Sequence, residues 1–252
     1  MQKGFMGRVS RIIEKSDLLL EVLDARFPEL TRNSVTETKI LRSGKKLILV
    51  LNKSDLASKE TLLKEKKSLE KFAPCVFLST KERSGIRRLR ETIGKTASTN
   101  RQIVIGVLGY PNTGKSSIIN SLRGRAVARV SPKAGFTRGE QFVRISQKIL
   151  LVDSPGIIPF EQKNEFELML VSSKNAEQLK QPEEVALELI DWILLKNPEA
   201  IKENFGIEET ESEEILEKFA LKKNKLLKQG LPDTKTASKL LIQEWQKAKI
   251  KI

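Results

Sequence analysis

Five short apolar runs punctuate the first part of the chain, at residues 18–23, 47–51, 76–78, 103–108 and 149–152. They are continuous rather than alternating, which is the pattern of strands buried on both faces of a parallel sheet. Between them, residues 58–72 and 85–93 place apolar side chains at helical spacing, and residues 115–122 open as a helix straight from a glycine loop. Strand and helix therefore alternate. That predicts an α/β domain with a mostly parallel sheet and helices on both of its faces. Residues 144–146 add a strand beside 149–152, hairpin fashion, and the small, polar stretch 94–102 (GKTASTNRQ) reads as a linker between two halves of the domain.

After about residue 160 the pattern changes. Pro182 opens a stretch, 183–195, with apolar residues at helical spacing and Trp192 turned to a core. Residues 213–227 and 234–247 read as further helices, with Gly230-Leu231-Pro232-Asp233 as a stop followed by a new start. The expected division is 1–171 for the α/β domain and 172–252 for a small α-helical one. No run of about 18 apolar residues is present to span a membrane. The basic N-terminus, residues 1–11, is followed by no apolar signal core.

Composition narrows the chemistry. There is no histidine and a single cysteine, Cys75. Histidine zinc ligands, Ser-His-Asp triads, internal disulfides and cysteine metal clusters are all excluded. With no membrane segment, the cytoplasm is the expected location. The formal net charge is +14, unevenly spread: residues 1–171 hold 32 Lys+Arg against 17 Asp+Glu, whereas residues 172–252 hold 14 against 15. No arginine lies beyond Arg144. A basic first part points to a polyanionic partner, nucleic acid being the commonest. A Lys/Glu-rich surface of a heat-adapted protein would give a similar balance, but not the arginine asymmetry.

The glycine loop reads Gly109-Tyr110-Pro111-Asn112-Thr113-Gly114-Lys115-Ser116-Ser117, a match to the phosphate-binding pattern G-x-x-x-x-G-K-[ST]. A strand runs in and a helix runs out, as that loop requires. Its glycines let backbone N–H groups turn toward a β-phosphate, and the helix N-terminus adds favourable dipole. Lys115 would sit between β- and γ-phosphates, and the Ser116 hydroxyl would ligate Mg2+.

Three further segments fit the same chemistry. Asp153-Ser154-Pro155-Gly156 follows the apolar run 149–152. There Asp153 would hold Mg2+ through water and the Gly156 N–H would meet a γ-phosphate, although Asp-x-Pro-Gly is also an ordinary turn. Asn52-Lys53-Ser54-Asp55 ends the run 47–51. Asp55 can accept two hydrogen bonds from the N1–H and amino group of guanine, a donor pair adenine lacks. The stem of Lys53 can lie along the base and Asn52 can brace the loop. The same tetrapeptide also fits a capped helix start. Ser79-Thr80-Lys81, after 76–78, can supply a backbone N–H to guanine O6. Thr137, between the glycine loop and Asp153, can reach Mg2+ from a loop that closes over the γ-phosphate, or can belong to a polar surface loop.

Together these pieces resemble the TRAFAC GTPases, with the motifs in rotated order: NKSD, STK, phosphate loop, Thr137, DSPG. That order resembles the circularly permuted YlqF/RbgA (YawG) family of ribosome-assembly GTPases, archaeal members included. Asp24-Ala25-Arg26 resembles that family's DAR motif, and GYPNTGKSSIIN its phosphate loop. The resemblance covers nearly the whole chain. It implies a permuted P-loop GTPase fold with a helical C-terminal domain, bound GTP or GDP, Mg2+, and the large ribosomal subunit or its rRNA as partner. Asn112 resembles the phosphate-loop asparagine that coordinates K+ beside the phosphates in potassium-stimulated relatives; otherwise it merely caps the loop. Two details bear on hydrolysis. Ile157 and Ile158 stand where other GTPases carry the glutamine that orients water, as in the family, but its N-terminal Gly-His-Met is Gly4-Phe5-Met6 here.

In this order the chain leaves the GTPase domain directly after DSPG, so the helical part is tethered to the segment that senses the γ-phosphate. Arg83, Arg87, Arg88 and Arg90 cluster on or near one helix, as phosphate contacts or as a solvated face. A nucleotide-modulated RNA-binding GTPase in translation or tRNA modification is the alternative function. At 5% aromatic residues a base-stacking platform is not indicated, and NKSD argues against a metabolic kinase.

Overall fold

The computed structural model describes residues 2–97, 101–123, 141–146, 149–153 and 164–250, with the backbone alone at a few of them, Asp153 included. The chain divides into two compact units, Met1–Phe160 and Glu161–Ile252. The first holds α1 (Gln2–Lys15), β1 (Leu18–Asp24), α2 (Pro28–Thr31), α3 (Ser34–Arg42), β2 (Lys46–Asn52), α4 (Lys59–Leu69), β3 (Cys75–Phe77), α5 (Ile86–Ala97), β4 (Ile103–Gly109), α6 (Lys115–Arg123), β5 (Gln141–Ser146) and β6 (Ile149–Asp153). The strands form one sheet in the order β3-β2-β1-β4-β6-β5. All neighbours are parallel except β5 and β6, the hairpin expected from the sequence.

Both faces of this sheet are covered, which explains the continuous apolar runs. Successive side chains of a strand point to opposite faces. On β1 and β2, Leu19, Leu23, Leu47, Leu49 and Leu51 pack with Val9, Ile12 and Ile13 of α1, Ile40 of α3 and Leu62 and Leu69 of α4. The alternate set, Leu18, Leu20, Val22, Ile48 and Val50, packs with Leu89 and Ile93 of α5 and Ile118, Ile119 and Leu122 of α6.

α1 and α3 are among the helices that escape the sequence pattern. α1 lies where only a basic N-terminus was read, yet Val9, Ile12 and Ile13 fall at helical spacing and are buried. α3 buries Thr36, Glu37 and Ile40 while Val35 and Leu41 are exposed, so its buried face is mostly polar and leaves little apolar period to read. Its cap is regular: Asn33 accepts from the Thr36 N–H at 2.6 Å. α5 continues to Ala97, so the first part of the expected linker 94–102 is helix.

The polar face of α3 is answered by a carboxyl in the sheet. Glu21 of β1, 2% exposed, accepts the Asn33 N–H at 2.9 Å through Oε1. Arg32 forms a two-pronged ion pair with Glu37, at 2.9 and 2.8 Å. Burial, then the charge of Glu37, push the Glu21 carboxyl well above its ordinary value. No protein donor reaches Glu21 Oε2 among the described residues. Protonation would turn that acid into a donor toward Glu37.

The second unit is helical: α7 (Glu165–Leu170), α8 (Pro182–Lys196), α9 (Ala200–Phe205), α10 (Ser212–Lys222) and α11 (Thr234–Gln246). Ile190, Ile193, Ile215, Phe219, Leu241 and Trp245 are fully buried in it. Trp192 is half-buried and meets Trp245 edge to face, with ring centroids 5.5 Å apart. The unit begins at Glu161, not at residue 172, because α7 packs on α8 and α11 and starts from its own capping box, Asn164 with Glu167. α10 stops at Lys222 rather than 227, since Asn224 turns into the left-handed region at φ 53°. Leu226 then pairs with Pro232, and the Asp233 side chain caps α11 at the Thr236 N–H, 2.9 Å away.

Candidate nucleotide-binding site

Register brings the carboxyl ends of three strands together. Asp24 at the end of β1 pairs with Asn52 at the end of β2, and Val22 pairs with Gly109 at the end of β4. In an open α/β sheet, ligands bind in the crevice outside such ends. Two loops that are far apart in the chain therefore meet here.

The loop from Gly109 to Lys115 wraps tightly. Gly109 has φ 142° and Gly114 φ 97°, backbone that side chains rarely adopt. A Cβ at Gly109 would collide with the Val22 carbonyl oxygen, and one at Gly114 with Asn52 Nδ2. Asn112 also sits in the left-handed region, at φ 60°. The Thr113 hydroxyl donates to the Tyr110 carbonyl at 2.9 Å, and Lys115 Nζ donates to the same oxygen. The Lys115 ammonium is thus folded back over the loop that leads into α6. Pro111 is half-buried, and Ser116 and Ser117 are exposed on the first turn of α6.

The loop after β2 lies directly against it. Asn52 Nδ2 donates to the Thr113 carbonyl at 2.7 Å, in a buried bond across sixty-one residues of sequence. The Thr80 N–H reaches Asn52 Oδ1 at 3.4 Å. Lys53 is left-handed at φ 61°, and its Nζ meets Asp24 Oδ2 at 2.8 Å. Asp55 lies in a 3-10 turn, Ser54–Leu56. Its Oδ1 accepts from the Ser79 hydroxyl at 2.6 Å and its Oδ2 stands 3.9 Å from Lys81 Nζ. Ser79 exchanges backbone hydrogen bonds with Ser84, which closes the 79–84 loop beneath Asp55.

The structure thus unites Asn52, Lys53, Asp55, Ser79, Thr80, Lys81 and the loop 109–117, which the sequence proposed separately. Asp153 is the last residue of β6, one strand from the loop. Its side chain, Thr137 and Gly156 lie outside the described residues. Motif reading had Asn52 bracing the loop but not its partner Thr113, and it missed the contacts of Ser79 with Asp55 and of Lys53 with Asp24. The arginine cluster is partly spoken for. Arg87 pairs with Glu91 at 2.9 Å, and Arg90 donates to the Ser121 and Leu122 carbonyls at the end of α6.

Residues 11–163 match the model of the RsgA GTPase family, and residues 104–228 match that of the 50S ribosome-binding GTPase. The loop 52–55 precedes the loop 109–117 along the chain, yet the sheet sets the two side by side. The chain belongs to the circularly permuted GTPases of the RsgA and YlqF kind. The crystal structure of GNP-bound YlqF from T. maritima superposes on this GTPase with a TM-score of 0.68, at 27% identity over 97% of this chain and 94% of that one. An uncharacterized GTP-binding protein of Methanocaldococcus jannaschii is 40% identical over 96% of this chain. Nucleolar GTP-binding protein 2 of Schizosaccharomyces pombe is 34% identical over 98% of it. The GTPase spans 65% of the length of the first of these relatives and 47% of the second. Among its described residues no helix is long and apolar enough to cross a membrane.

Proposed function

We propose that this GTPase binds GTP with Mg2+, hydrolyses it to GDP and phosphate, and acts as a switch in large ribosomal subunit assembly through rRNA contact. One observation carries the nucleotide reading: the Asn52–Thr113 bond, which joins the base-reading loop to the phosphate loop at 2.7 Å. A nucleotide held there would place its base by Asp55 and its phosphates over the N-terminus of α6. Asp55 accepts from guanine N1–H and N2, and adenine offers neither donor, so both bonds would be lost.

Among the described residues no group of three or more carboxylates or cysteines could hold a metal by itself. The donors at hand, Ser116 with Asp153 and Thr137, fit an Mg2+ that takes its remaining ligands from phosphate and water. K+ at Asn112 would supply further positive charge where the transition state develops negative charge. Catalysis in this reading rests on Lys115, Thr137 and the Gly156 N–H, with no side chain of residue 157 or 158 able to orient water. The ribosomal part rests on the 50S ribosome-binding family match, the nucleolar relatives and the basic first 171 residues.

Replacing Asp55 by Asn is expected to weaken GTP binding at least about a hundredfold, the loss of two charge-assisted hydrogen bonds. Unchanged GTP affinity would remove the guanine assignment. Co-sedimentation with isolated large subunits, in GDP and in a non-hydrolysable GTP analogue, is expected to show tighter binding with the analogue. No binding in either state would remove the ribosomal reading.

A further inference from the structure

We propose that Asp24 is a positioning residue for the nucleotide: its carboxylate tethers Lys53 by the ammonium, so that the lysine presents its methylene stem to the base. This rests on the GTP reading above and adds a residue to it that lies in neither the base-reading nor the phosphate loop.

Asp24 is the last residue of β1, its side chain 1% exposed. Its Oδ1 accepts from the Arg26 backbone N–H at 3.1 Å and from Arg26 Nε at 3.0 Å. Its Oδ2 accepts from the Arg26 guanidinium and from Lys53 Nζ, both at 2.8 Å. Arg26 alone would satisfy a buried carboxylate with a fork of donors. The second cation is not needed to neutralise Asp24, and it comes from a loop twenty-nine residues away. What it does is anchor that loop.

Lys53 needs an anchor. Its backbone is left-handed, at φ 61° and ψ 36°, a conformation that an ordinary side chain disfavours. Asn52 and Asp55, its neighbours in the motif, are braced by Thr113 and by Ser79, within the two loops they serve. Lys53 is braced from outside both, by β1. An ammonium fixed on Asp24 leaves the apolar stem as the part of Lys53 that can lie on a base, and its side chain is 22% exposed. The segment holding Asp24 is tied in turn to β2, where the Ala25 N–H bonds the Asn52 carbonyl at 2.8 Å. It is also tied to α2, where the Thr31 hydroxyl oxygen accepts the Asp24 N–H at 3.0 Å. Asp24 is thus itself immobile, as a positioning group must be.

The test is a titration of the full chain with fluorescent GDP, with IDP as competitor, for Asp24→Asn, Lys53→Met and the double variant. Met keeps the stem and removes the tether, at a partly exposed position that tolerates it. Each single change is expected to raise the GDP Kd about tenfold, one charge-assisted hydrogen bond's worth. The double variant should bind within about twofold of the weaker single one, since both break the same link. The GDP-to-IDP affinity ratio should stay at the wild-type value, because Asp55, which reads the guanine amino group, is untouched. Three results overturn the proposal: wild-type GDP affinity in Lys53→Met, losses that multiply in the double variant, or a changed GDP-to-IDP ratio in Asp24→Asn. If Asp24→Asn does not fold, Lys53→Met decides alone. No GDP binding by the unaltered chain would overturn the GTP reading itself, a result distinct from all of these.

Discussion

Asn112 occupies a left-handed position, φ 60°, inside the phosphate loop. Asparagine is among the few side chains that settle there at low cost. Its side-chain oxygen was legible in the sequence as a candidate K+ ligand, but the strained backbone that carries it was not. The backbone changes the choice of variant. Alanine would strain the loop, whereas glycine keeps φ and removes only the oxygen. GTP turnover in matched KCl and NaCl is expected to favour KCl several-fold in the wild type. In Asn112→Gly the ratio should fall to about one while GDP affinity persists. Equal rates in the two salts for the wild type would remove K+ from the site. Lys53 and Asp24 teach the same lesson: the motif residue was readable, its partner was not. The Asp24 carboxyl is raised by burial but lowered more by its hydrogen bonds with Arg26 and the charge of Lys53, so it falls below the ordinary 3.8. The tether is therefore fully formed above pH 3.8 and lost only as pH drops through the lower, folded value.

Between elements, two buried polar links hold the site's frame. Asn52 joins β2 to the phosphate loop, and its removal leaves the buried Thr113 carbonyl unanswered. Asn52→Ala is expected to cost about 1–3 kcal/mol in urea unfolding and to weaken nucleotide binding as well. Unaltered stability would mean the two loops hold together without this bond. The second link is Glu21, which joins β1 to the polar face of α3. Folded Glu21 holds its proton to higher pH than the unfolded chain, which releases it near 4.5, so its contribution is full below pH 4.5 and is lost as pH rises toward the folded value. A glutamine in its place would donate to Glu37 without that penalty. The melting temperature of Glu21→Gln is expected to match the wild type near pH 4 and to exceed it increasingly toward pH 8. A constant difference across that range would mean Glu21 is ionised in the fold. The sequence showed Glu21 inside the apolar run of β1 but not what it faces, because a single polar residue in a hydrophobic run has no periodic signature.

At the scale of the whole chain, charge and order are what matter. The excess of basic residues falls in 1–171, and the chain leaves this part just after DSPG. If the basic part contacts rRNA phosphates, co-sedimentation with large subunits should weaken steeply as salt is raised, with counterion release setting the slope. Arg83 and Arg88 are exposed candidates for that contact, while Arg87 and Arg90 already bond within the fold. The second compact unit carries no such excess. Its start at Glu161 was not legible, since α7 is a short helix whose membership is decided by what it packs against.

The sequence by itself determined the local matters: which runs are strands, where the phosphate and base-reading loops lie, and that their order is rotated. These follow from side-chain period and turn chemistry, which act over a few residues. Only the tertiary structure decided that Asn52 meets Thr113, that Lys53 meets Asp24, and that Glu21 faces Glu37. Those pairings depend on strand order and register, free energies summed over contacts between distant segments. No local pattern encodes them. The motifs lie scattered along the chain, and the sheet brings the loops 52–55, 79–84 and 109–117 together.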